Sequence, residues 1–483
     1  MRVVRRLWVV AIFAVAIIEI SCGDTFRPIA IPQNPFPPNP KDTHFELVLT
    51  ANGPEVCPIP GTPPPPCDSS PHPGGSSRLD VSGDSNVGTA TVGLGPVHAV
   101  LLPPNGDTAF VVNQLDNTVT AYPTANPGPP TVTITLPPGT NPVFVETKET
   151  GNVYVAGKGD VAGGQSVSVI SAAQNVVTKT LTAADGIGNN PSAMVETPDG
   201  KKLYVVNQDD ATVTVISTID KTKSAILATG AIGASPNWAV ARADSARVYV
   251  LNQGAGTVSV IDTVNDAVLT SVSVPGASYM FYDKELNRLY LTVPSTARLA
   301  VLNVASDPPV ALPSVDLSTA CPAGCVLDSV TSLPTDINGA NQHKVYVSSH
   351  TILAACSQLA GAPPDNPPCI TTQVSIVQPP NNNLVKTLTM QHTVFVNSQS
   401  VGSKPDVPVV LFCDSIRFRR QIASAADGTR VFVANCDGGG TDIIRTSDDS
   451  FVLNLPAPVS SAPALPNQAF PPPQNPVFVT SGR

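Results

Sequence analysis

The feature that most constrains this chain is a unit that occurs twice in tandem between residues 191 and 274. Each copy contains one strand with an aromatic residue, Lys202–Asn207 in the first and Arg247–Asn252 in the second, and Tyr204 and Tyr249 stand 45 residues apart. The other short runs in each copy are rich in Val, Ile and Thr, and turn residues separate them. Such runs favour short antiparallel strands, so we expect a series of small sheets.

The aromatic strand recurs along most of the chain, and its spacing predicts the number of units. Seven aromatic residues mark it, namely Phe110, Tyr154, Tyr204, Tyr249, Tyr290, Tyr346 and Phe432. In four units the next strand begins nine residues later, as a short hairpin requires. Repeats of this length with three or four strands are typical of propeller blades. The sequence therefore predicts an all-β, seven-bladed β-propeller. Eight blades remain an alternative, because Val394–Asn397 imitates the aromatic strand, and Asn475–Val479 raises the same question.

The ring must also be closed. Sheets that stack side by side bury both of their faces, and circular closure leaves no terminal unit exposed. His44–Thr50 has the pattern of a strand, and we expect it to complete the last blade beside Phe451–Leu455.

The first residues of the chain have the features of an export signal. Three arginines precede an apolar stretch, Leu7–Ile18, that is shorter than the roughly 20 residues needed to span a bilayer. The following Ser21 and Cys22 resemble a bacterial lipobox, in which Cys22 would carry the lipid, although Glu19 departs from the usual pattern. We therefore expect an envelope protein anchored through Cys22 at the outer membrane. The alternative is a secreted or periplasmic protein without a lipid.

These features divide the chain into five predicted segments. They are a lipoprotein-type signal peptide at 1–21, a Pro-rich tether at 22–43, a closing strand with a disulfide loop at 44–95, the propeller at 96–456 and a Pro-rich tail at 457–483. Pro-rich sequence favours an extended, stiff tether. The tail is expected to lie over the surface or to be loose.

Eight further cysteines follow Cys22, and an even number favours disulfides in an exported chain. We predict pairing between sequence neighbours, which gives Cys57–Cys67, Cys321–Cys325, Cys356–Cys369 and Cys413–Cys436. None of the first three pairs has CxxC spacing, and no histidine accompanies them at zinc spacing, so no metal is predicted.

The charge balance limits the partners. The net charge is −9 and only 13% of residues are charged, whereas nucleic-acid binding requires a basic footprint. No nucleic-acid partner is therefore expected. No phosphate-binding or dinucleotide-binding motif is present in the sequence, so we predict no cofactor. We also expect a monomer.

The strands Phe110–Asn113 and Tyr204–Asn207 are each followed nine residues after the aromatic residue by a Val-x-Val stretch, and they resemble the YVTN-type β-propeller repeat. Tyr249–Asn252 and Phe432–Asn435 are variants of it. The resemblance covers about residues 96–456 and implies a propeller fold. It implies little about function, because such propellers include adhesion-like proteins, lactonase-like enzymes and proteins of unknown role. With its lipobox, its Pro-rich tether and this propeller, the chain is similar to a bacterial envelope lipoprotein.

Few residues suggest catalysis. Glu146 and Glu196 occupy like positions in adjacent units and are weak candidates for a pair of channel carboxylates. His98 and His350 could meet across the channel, but three or so converging histidines would be needed for a metal site. The recurring asparagines are interpreted as turn residues that bond backbone groups, namely Asn113, Asn207, Asn252 and Asn435.

The sequence thus favours a non-catalytic, surface-tethered binding module that presents loops to an envelope protein or a glycan. An envelope lactonase or hydrolase that uses the Glu146–Glu196 pair is the alternative. A purely structural component of the envelope is a third interpretation.

Overall fold

The structure is a computed structural model. It describes residues 44–52, 72–125, 130–148, 151–321, 324–333, 343–353, 369–379, 381–393, 413, 416–417, 419–457 and 474–482. The predicted signal peptide, the tether and Cys22 lie outside these residues. So do Val394–Asn397 and three of the predicted disulfide cysteines, Cys57, Cys67 and Cys356.

The described chain forms 32 strands in eight antiparallel sheets of four, which we call blades 1 to 8. Blade 1 consists of β1 (Phe45–Asn52), β2 (His72–Asp80), β3 (Ser85–Leu94) and β32 (Gln474–Gly482). Blade 2 consists of β4 (Pro96–Leu101), β5 (Thr108–Asn113), β6 (Thr118–Pro123) and β7 (Val132–Thr135). Blade 3 consists of β8 (Pro142–Glu146), β9 (Asn152–Gly157), β10 (Ser166–Ser171) and β11 (Val176–Thr182). Blade 4 consists of β12 (Pro191–Glu196), β13 (Lys202–Asn207), β14 (Thr212–Ser217) and β15 (Thr222–Leu227).

The remaining blades follow in chain order. Blade 5 consists of β16 (Pro236–Ala241), β17 (Arg247–Asn252), β18 (Thr257–Asp262) and β19 (Ala267–Ser273). Blade 6 consists of β20 (Tyr279–Asp283), β21 (Arg288–Val293), β22 (Arg298–Asn303) and β23 (Val310–Asp316). Blade 7 consists of β24 (Cys325–Ser332), β25 (Val345–Leu353), β26 (Cys369–Gln378) and β27 (Asn383–Thr393). Blade 8 consists of β28 (Arg420–Ser424), β29 (Arg430–Asn435), β30 (Gly440–Arg445) and β31 (Ser450–Pro456). Two short 3₁₀ turns, Ala183–Asp185 and Pro294–Thr296, complete the described secondary structure, and within it no helix has the length and apolarity to span a membrane.

The inner strands contact one another in order around a closed ring, in which β32 lies between β28 and β4. The predicted count of seven blades is wrong, because blade 1 lacks the aromatic strand that marks the other seven. The predicted partner of His44–Thr50 is also wrong, since this segment forms β1 and pairs with β2 and β32, while β31 pairs with β30. Residues 474–482 of the predicted tail are therefore the inner strand of blade 1. The ring begins at β1 and does not begin at residue 96.

The inner and middle strands of a blade are buried on both faces, because a neighbouring blade packs against each face. In β13, Leu203, Tyr204, Val205 and Val206 are all fully buried. A sheet covered on both sides needs such a continuous apolar run. The outer strand β19 instead alternates between exposed and partly buried residues, because only one of its faces meets a neighbour.

The recurring asparagines fix the hairpins that join the second and third strands. Asn207 Nδ2 donates to the hydroxyl oxygens of Thr212 and Thr214, both at 3.0 Å. Asn113 and Asn252 make the same pair of bonds in their own blades. These three asparagines thus hold the hairpin through side-chain hydroxyls and not through the predicted backbone groups, whereas Asn435 Oδ1 accepts from the backbone N–H of Gly438 at 3.0 Å.

A second recurring contact joins five of the blades to the blade that follows. Lys202 Nζ of blade 4 lies 2.8 Å from Asp266 Oδ1 in the outer turn of blade 5, and the Tyr204 hydroxyl donates to the same oxygen at 2.7 Å. In blade 7, Lys344 and Tyr346 bond Asp449 of blade 8 in the same way. We call these contacts interblade latches.

Five consecutive blades carry a latch, and each latch starts two residues before the aromatic residue of its blade. The partners are Lys202 with Asp266, Arg247 with Asp307, Arg288 with Asn382, Lys344 with Asp449 and Arg430 with Asp84. The last latch joins blade 8 to blade 1 through two bonds, of 2.7 and 2.9 Å, between the Arg430 guanidinium and the Asp84 carboxylate. Bidentate pairs of this kind are stronger than single ion pairs.

Two of the predicted disulfides, Cys321–Cys325 and Cys413–Cys436, are present. The first lies just before blade 7, and the second joins the segment that precedes β28 to the end of β29. The side chain of Cys369 is not among those described, so the pair Cys356–Cys369 stays a prediction.

Candidate functional site

A cavity of about 670 Å³ lies at the end of the ring where the inner strands begin. The first residues of the inner strands line it, together with the hairpins that follow the second strands. This volume is within the usual range of roughly 300–1,000 Å³ for small-molecule sites. The cavity is therefore the candidate functional site.

An arc of five rings borders the cavity, and all of them except Tyr279 line it. His98 is stacked on Phe144 with a centroid distance of 4.0 Å and lies 4.4 Å from the ring of Phe478. Phe144 meets Trp238 edge to face at 5.8 Å, and Trp238 lies 5.2 Å from Tyr279. Edge-to-face and offset arrangements are the favourable ones for aromatic side chains. We call these five residues the aromatic arc.

Four members of the arc hold equivalent places in blades 2, 3, 5 and 6, each opposite the residue two positions after the aromatic marker. The register pairs are His98 with Val112, Phe144 with Ala156, Trp238 with Leu251 and Tyr279 with Thr292. Blade 4 has the small Ala193 at this position, opposite Val206. The Trp238 ring reaches Phe144 across that blade.

Arg417 lies over the arc. Its guanidinium carbon is 4.6 Å from the centre of the Trp238 ring, as in a cation–π contact. The guanidinium donates to the carbonyl oxygen of Ser192 at 2.8 Å and to that of Asn237. Arg417 precedes blade 8, whereas Ser192 and Asn237 belong to blades 4 and 5, so its side chain reaches the opposite side of the ring.

Amide side chains surround the cavity mouth. Gln114, Gln208 and Gln253 each follow the asparagine that ends the second strand of a blade, and all three line the cavity. Gln114 Nε2 donates to Asn141 Oδ1 at 2.9 Å, and Gln253 Oε1 accepts from Asn237 Nδ2 at 2.8 Å. These bonds orient two of the three amides.

The charges in the cavity wall are unequal. Arg417 and Lys158 are cations there, and Asp328 is the one acid among the described lining residues. Burial, and then the positive charge of Arg417, lower the pKa of His98 to about 3. His98 is thus neutral at neutral pH. Its Nδ1 atom is buried and has no hydrogen-bond partner in the described structure.

Asp328 is held in a buried polar cluster between blades 7 and 8. Its Oδ2 atom lies 2.7 Å from His350 Nδ1, and burial raises the pKa of this carboxyl while His350 opposes the rise. Arg420, which is fully buried, donates to Asp437 Oδ2 at 3.0 Å and to Thr372 Oγ1 at 2.8 Å. The predicted convergence of His98 with His350 has no contact to support it. His350 bonds Asp328, whereas His98 packs in the arc.

The predicted carboxylate pair is brought together, but away from the cavity. Glu146 and Glu196 end their inner strands, at the other end of the ring. Lys148 joins them, because its Nζ lies 3.1 Å from Glu146 Oε1 and its backbone N–H donates to Glu196 Oε2 at 2.6 Å. Burial raises the pKa of Glu146, and the Lys148 ammonium opposes the rise. Neither carboxylate lines the cavity.

No group of three or more His, Cys, Asp or Glu side chains that could hold a metal occurs within the described part of the chain.

Comparison with known proteins gives a partial family match. A family model described as a lactonase with a seven-bladed β-propeller matches residues 77–231, which is less than half of the chain. No curated protein sequence matches this chain.

Solved structures agree with the ring that the sheets form. Dihydro-heme d1 dehydrogenase NirN in complex with DHE is similar, with a TM-score of 0.54, 12% identity, and coverage of 86% of this chain and 73% of that one. Apo AztD from Citrobacter koseri has a TM-score of 0.52 and 10% identity, and covers 91% of this chain and 98% of that one. The protein is a β-propeller. At these identities the likeness concerns the fold of the propeller alone.

The sequence analysis missed the aromatic arc, although it carries a visible signal. In blades 2, 3 and 5 the arc residue stands two positions after the proline that starts the inner strand, as Phe144 follows Pro142 and Trp238 follows Pro236. Of these three residues only His98 has a side chain that acid–base or metal chemistry would single out, so the apolar rings were not predicted. Arg417 has no such signal, because its contacts join residues about 180 or more positions apart.

Proposed function

We propose that this propeller is a non-catalytic binding protein of the bacterial envelope, and that it holds a small ligand in the cavity at the end of its channel. The aromatic arc beneath Arg417 carries the proposal. Ligand sites are concave and mostly apolar, with a few convergent polar groups, and this cavity has that composition. The similar structure of NirN is a complex with DHE, which supports ligand binding by a propeller of this kind.

A cavity-filling variant tests the proposal. Ser192→Trp places an indole in the cavity wall, and Thr222→Trp places the same group on the exposed strand β15 as a matched control. Each full-length protein is heated with a panel of small molecules while its unfolding temperature is recorded. We expect some compounds to raise the unfolding temperature of the wild type and of Thr222→Trp, but not of Ser192→Trp. Equal responses of all three proteins would refute the cavity as the binding site.

The envelope location rests on the sequence. Lipidation of Cys22 and a stiff tether would hold the propeller at the outer membrane. A fatty-acid analogue supplied to cells should label the wild type, and Cys22→Ala should remove the label and release the protein from the membrane fraction. A labelled Cys22→Ala protein would contradict the anchor.

A lactonase or hydrolase is the second candidate, and the family match over residues 77–231 favours it. Glu146 and Glu196 would be its carboxylates. Their bonds to Lys148 argue against this role, because a general base must be free to reach a substrate proton. Lactone and ester hydrolysis by the wild type is compared with that of Glu146→Gln/Glu196→Gln. Turnover that the double variant loses would replace the binding proposal.

A further inference from the structure

We infer that the ligand of the cavity is a flat, conjugated organic anion, and that Arg417 and Lys158 bind its anionic group while the aromatic arc packs against its ring system. This inference rests on the proposed function, since it names the class of ligand that the same cavity takes.

The wall of the cavity favours a flat apolar body. The rings of His98, Phe144, Trp238, Tyr279 and Phe478 follow one another around five blades. Phe144 and Tyr279 are buried, while Trp238 and His98 remain partly accessible. A planar aromatic ligand can make the offset-stacked and edge-to-face contacts that aromatic rings prefer with several of these side chains at once.

The charges favour an anion. Lys158 and Arg417 are both exposed in the cavity. Asp328 is the described acid that faces them, and His350 already bonds it at 2.7 Å. His98 contributes no charge at neutral pH, because its pKa is lowered to about 3. The described lining residues thus carry more positive than negative charge, in a chain whose net charge is −9. A local positive site in an acidic protein is the arrangement that selects for an anionic group.

The geometry of Arg417 supports the same conclusion. The Trp238 face and the carbonyl oxygens of Ser192 and Asn237 position the guanidinium at the arc. A guanidinium recognises a carboxylate through parallel hydrogen bonds, and its position over the arc places such a group beside the rings. The glutamines at the mouth add donors and acceptors that orient the rest of the ligand.

The test uses three probes with the full chain. They are 2-naphthoate, the neutral 2-naphthamide, which has the same rings, and cyclohexanecarboxylate, a non-planar anion. Titration calorimetry gives the affinities. Because a hydrogen bond to a charged group is stronger than one between neutral groups, we expect naphthoate to bind at least about tenfold more tightly than naphthamide. The affinity for naphthoate should also exceed that for cyclohexanecarboxylate by a similar factor.

Variants assign the two parts of the ligand. Arg417→Gln should weaken naphthoate about tenfold and leave naphthamide nearly unchanged, since it removes charge but keeps a polar side chain. Trp238→Leu should weaken both ring compounds. Lys201→Gln is the matched control, because Lys201 is an exposed lysine that pairs with Asp199 outside the cavity. It should change neither affinity.

The intrinsic fluorescence of Trp238 can report ligand binding in the cavity. The chain has two tryptophans, Trp8 and Trp238, so Trp8→Phe leaves the cavity residue as the only one. Naphthoate should then quench the remaining fluorescence at the concentrations that calorimetry gives. Equal affinities for naphthoate and naphthamide, or an Arg417→Gln variant that binds naphthoate normally, would overturn the inference.

The outcomes separate this inference from the proposed function. Suppose that cellobiose or chitobiose binds and that Ser192→Trp abolishes this binding, but that naphthoate does not bind. The inferred ligand class is then wrong, whereas the proposed binding role stands. If no compound in the panel alters the unfolding temperature or the Trp238 fluorescence, both ideas fail together.

Discussion

Blade 4 and blade 1 have the same four-stranded form but differ in how they are built. Blade 4 is one continuous stretch, and the fully buried Leu203 lies just before its aromatic marker. Blade 1 joins two distant stretches. In register with blade 4, it carries Glu46 where blade 4 has Leu203 and Leu47 where blade 4 has Tyr204. Glu46 is fully buried, and its carboxyl oxygens accept no hydrogen bond of good geometry in the described structure, although the Ser481 side chain lies beside them.

The difference shows that the blade that closes the ring contains a destabilising buried group. A buried polar group without bonds costs free energy, whereas a buried leucine at the same position contributes it. Blade 1 compensates through β32, whose Val477, Phe478 and Val479 are buried, and through the two-bond latch from Arg430 to Asp84. Closure thus depends on a strand and an ion pair, where blade 4 depends on its apolar core.

Removing β32 should give the largest effect. A chain that ends at residue 473 leaves blade 1 without its inner strand and exposes the apolar face of β1, including Leu47 and Leu49. We expect loss of the cooperative thermal transition, followed by circular dichroism, and rapid proteolysis. A chain that lacks only Arg483 is the control. An unchanged transition in the truncated chain would show that the ring does not need this strand.

Replacing Glu46 tests the difference between the two blades directly. Burial raises the pKa of Glu46 from 4.5 to about 8, and Ser481 opposes this only in part. The folded protein therefore holds this proton more tightly than the unfolded chain does. The wild type should lose stability as the pH rises from about 4.5 to 8, by at most about 1.4 kcal/mol per pH unit from this group.

Glu46→Gln should remove that loss. The variant should match the wild type most closely below pH 4.5 and exceed it increasingly up to pH 8, as measured by urea unfolding across this range. Glu285→Gln, at an exposed turn, is the matched control and should follow the wild type. A difference that shrinks as the pH rises would contradict the buried-carboxyl interpretation.

The latches should give smaller effects that still differ between the blades. Arg430→Met removes a two-bond pair at the closure, and we expect a loss of about 1–3 kcal/mol. Lys202→Met removes an ammonium that bonds the Asp266 carboxylate and the Thr263 carbonyl oxygen of blade 5. Because this lysine is partly exposed and the Tyr204 hydroxyl still bonds Asp266, the loss should be about 1 kcal/mol or less. Lys201→Met, at a side chain that is 67% exposed, should have almost no effect. Urea unfolding measures all three, and equal losses for Arg430→Met and Lys202→Met would remove the distinction.

Much of the fold could be predicted from the sequence. Each aromatic marker from Phe110 to Phe432 lies in the second strand of its blade. These strands could be predicted because a buried aromatic residue and a short hairpin recur together. Blade 1 was not predicted, because Leu47 replaces the aromatic marker and because the inner strand of this blade lies at the far end of the chain. The candidate site was mostly missed for a similar reason. Its walls come from one residue per blade, and Arg417 meets its partners only after the ring has closed.

The latches have a consequence for how such a ring changes size. Every latch runs from the second strand of one blade to the outer turn of the following blade, always in the same rotational sense. Blades 5 to 8 therefore each carry one donor half and one acceptor half. Tandem duplication or excision of one of these four repeats would leave no half unmatched, so the circumference can grow or shrink there in whole steps through ordinary genetic recombination.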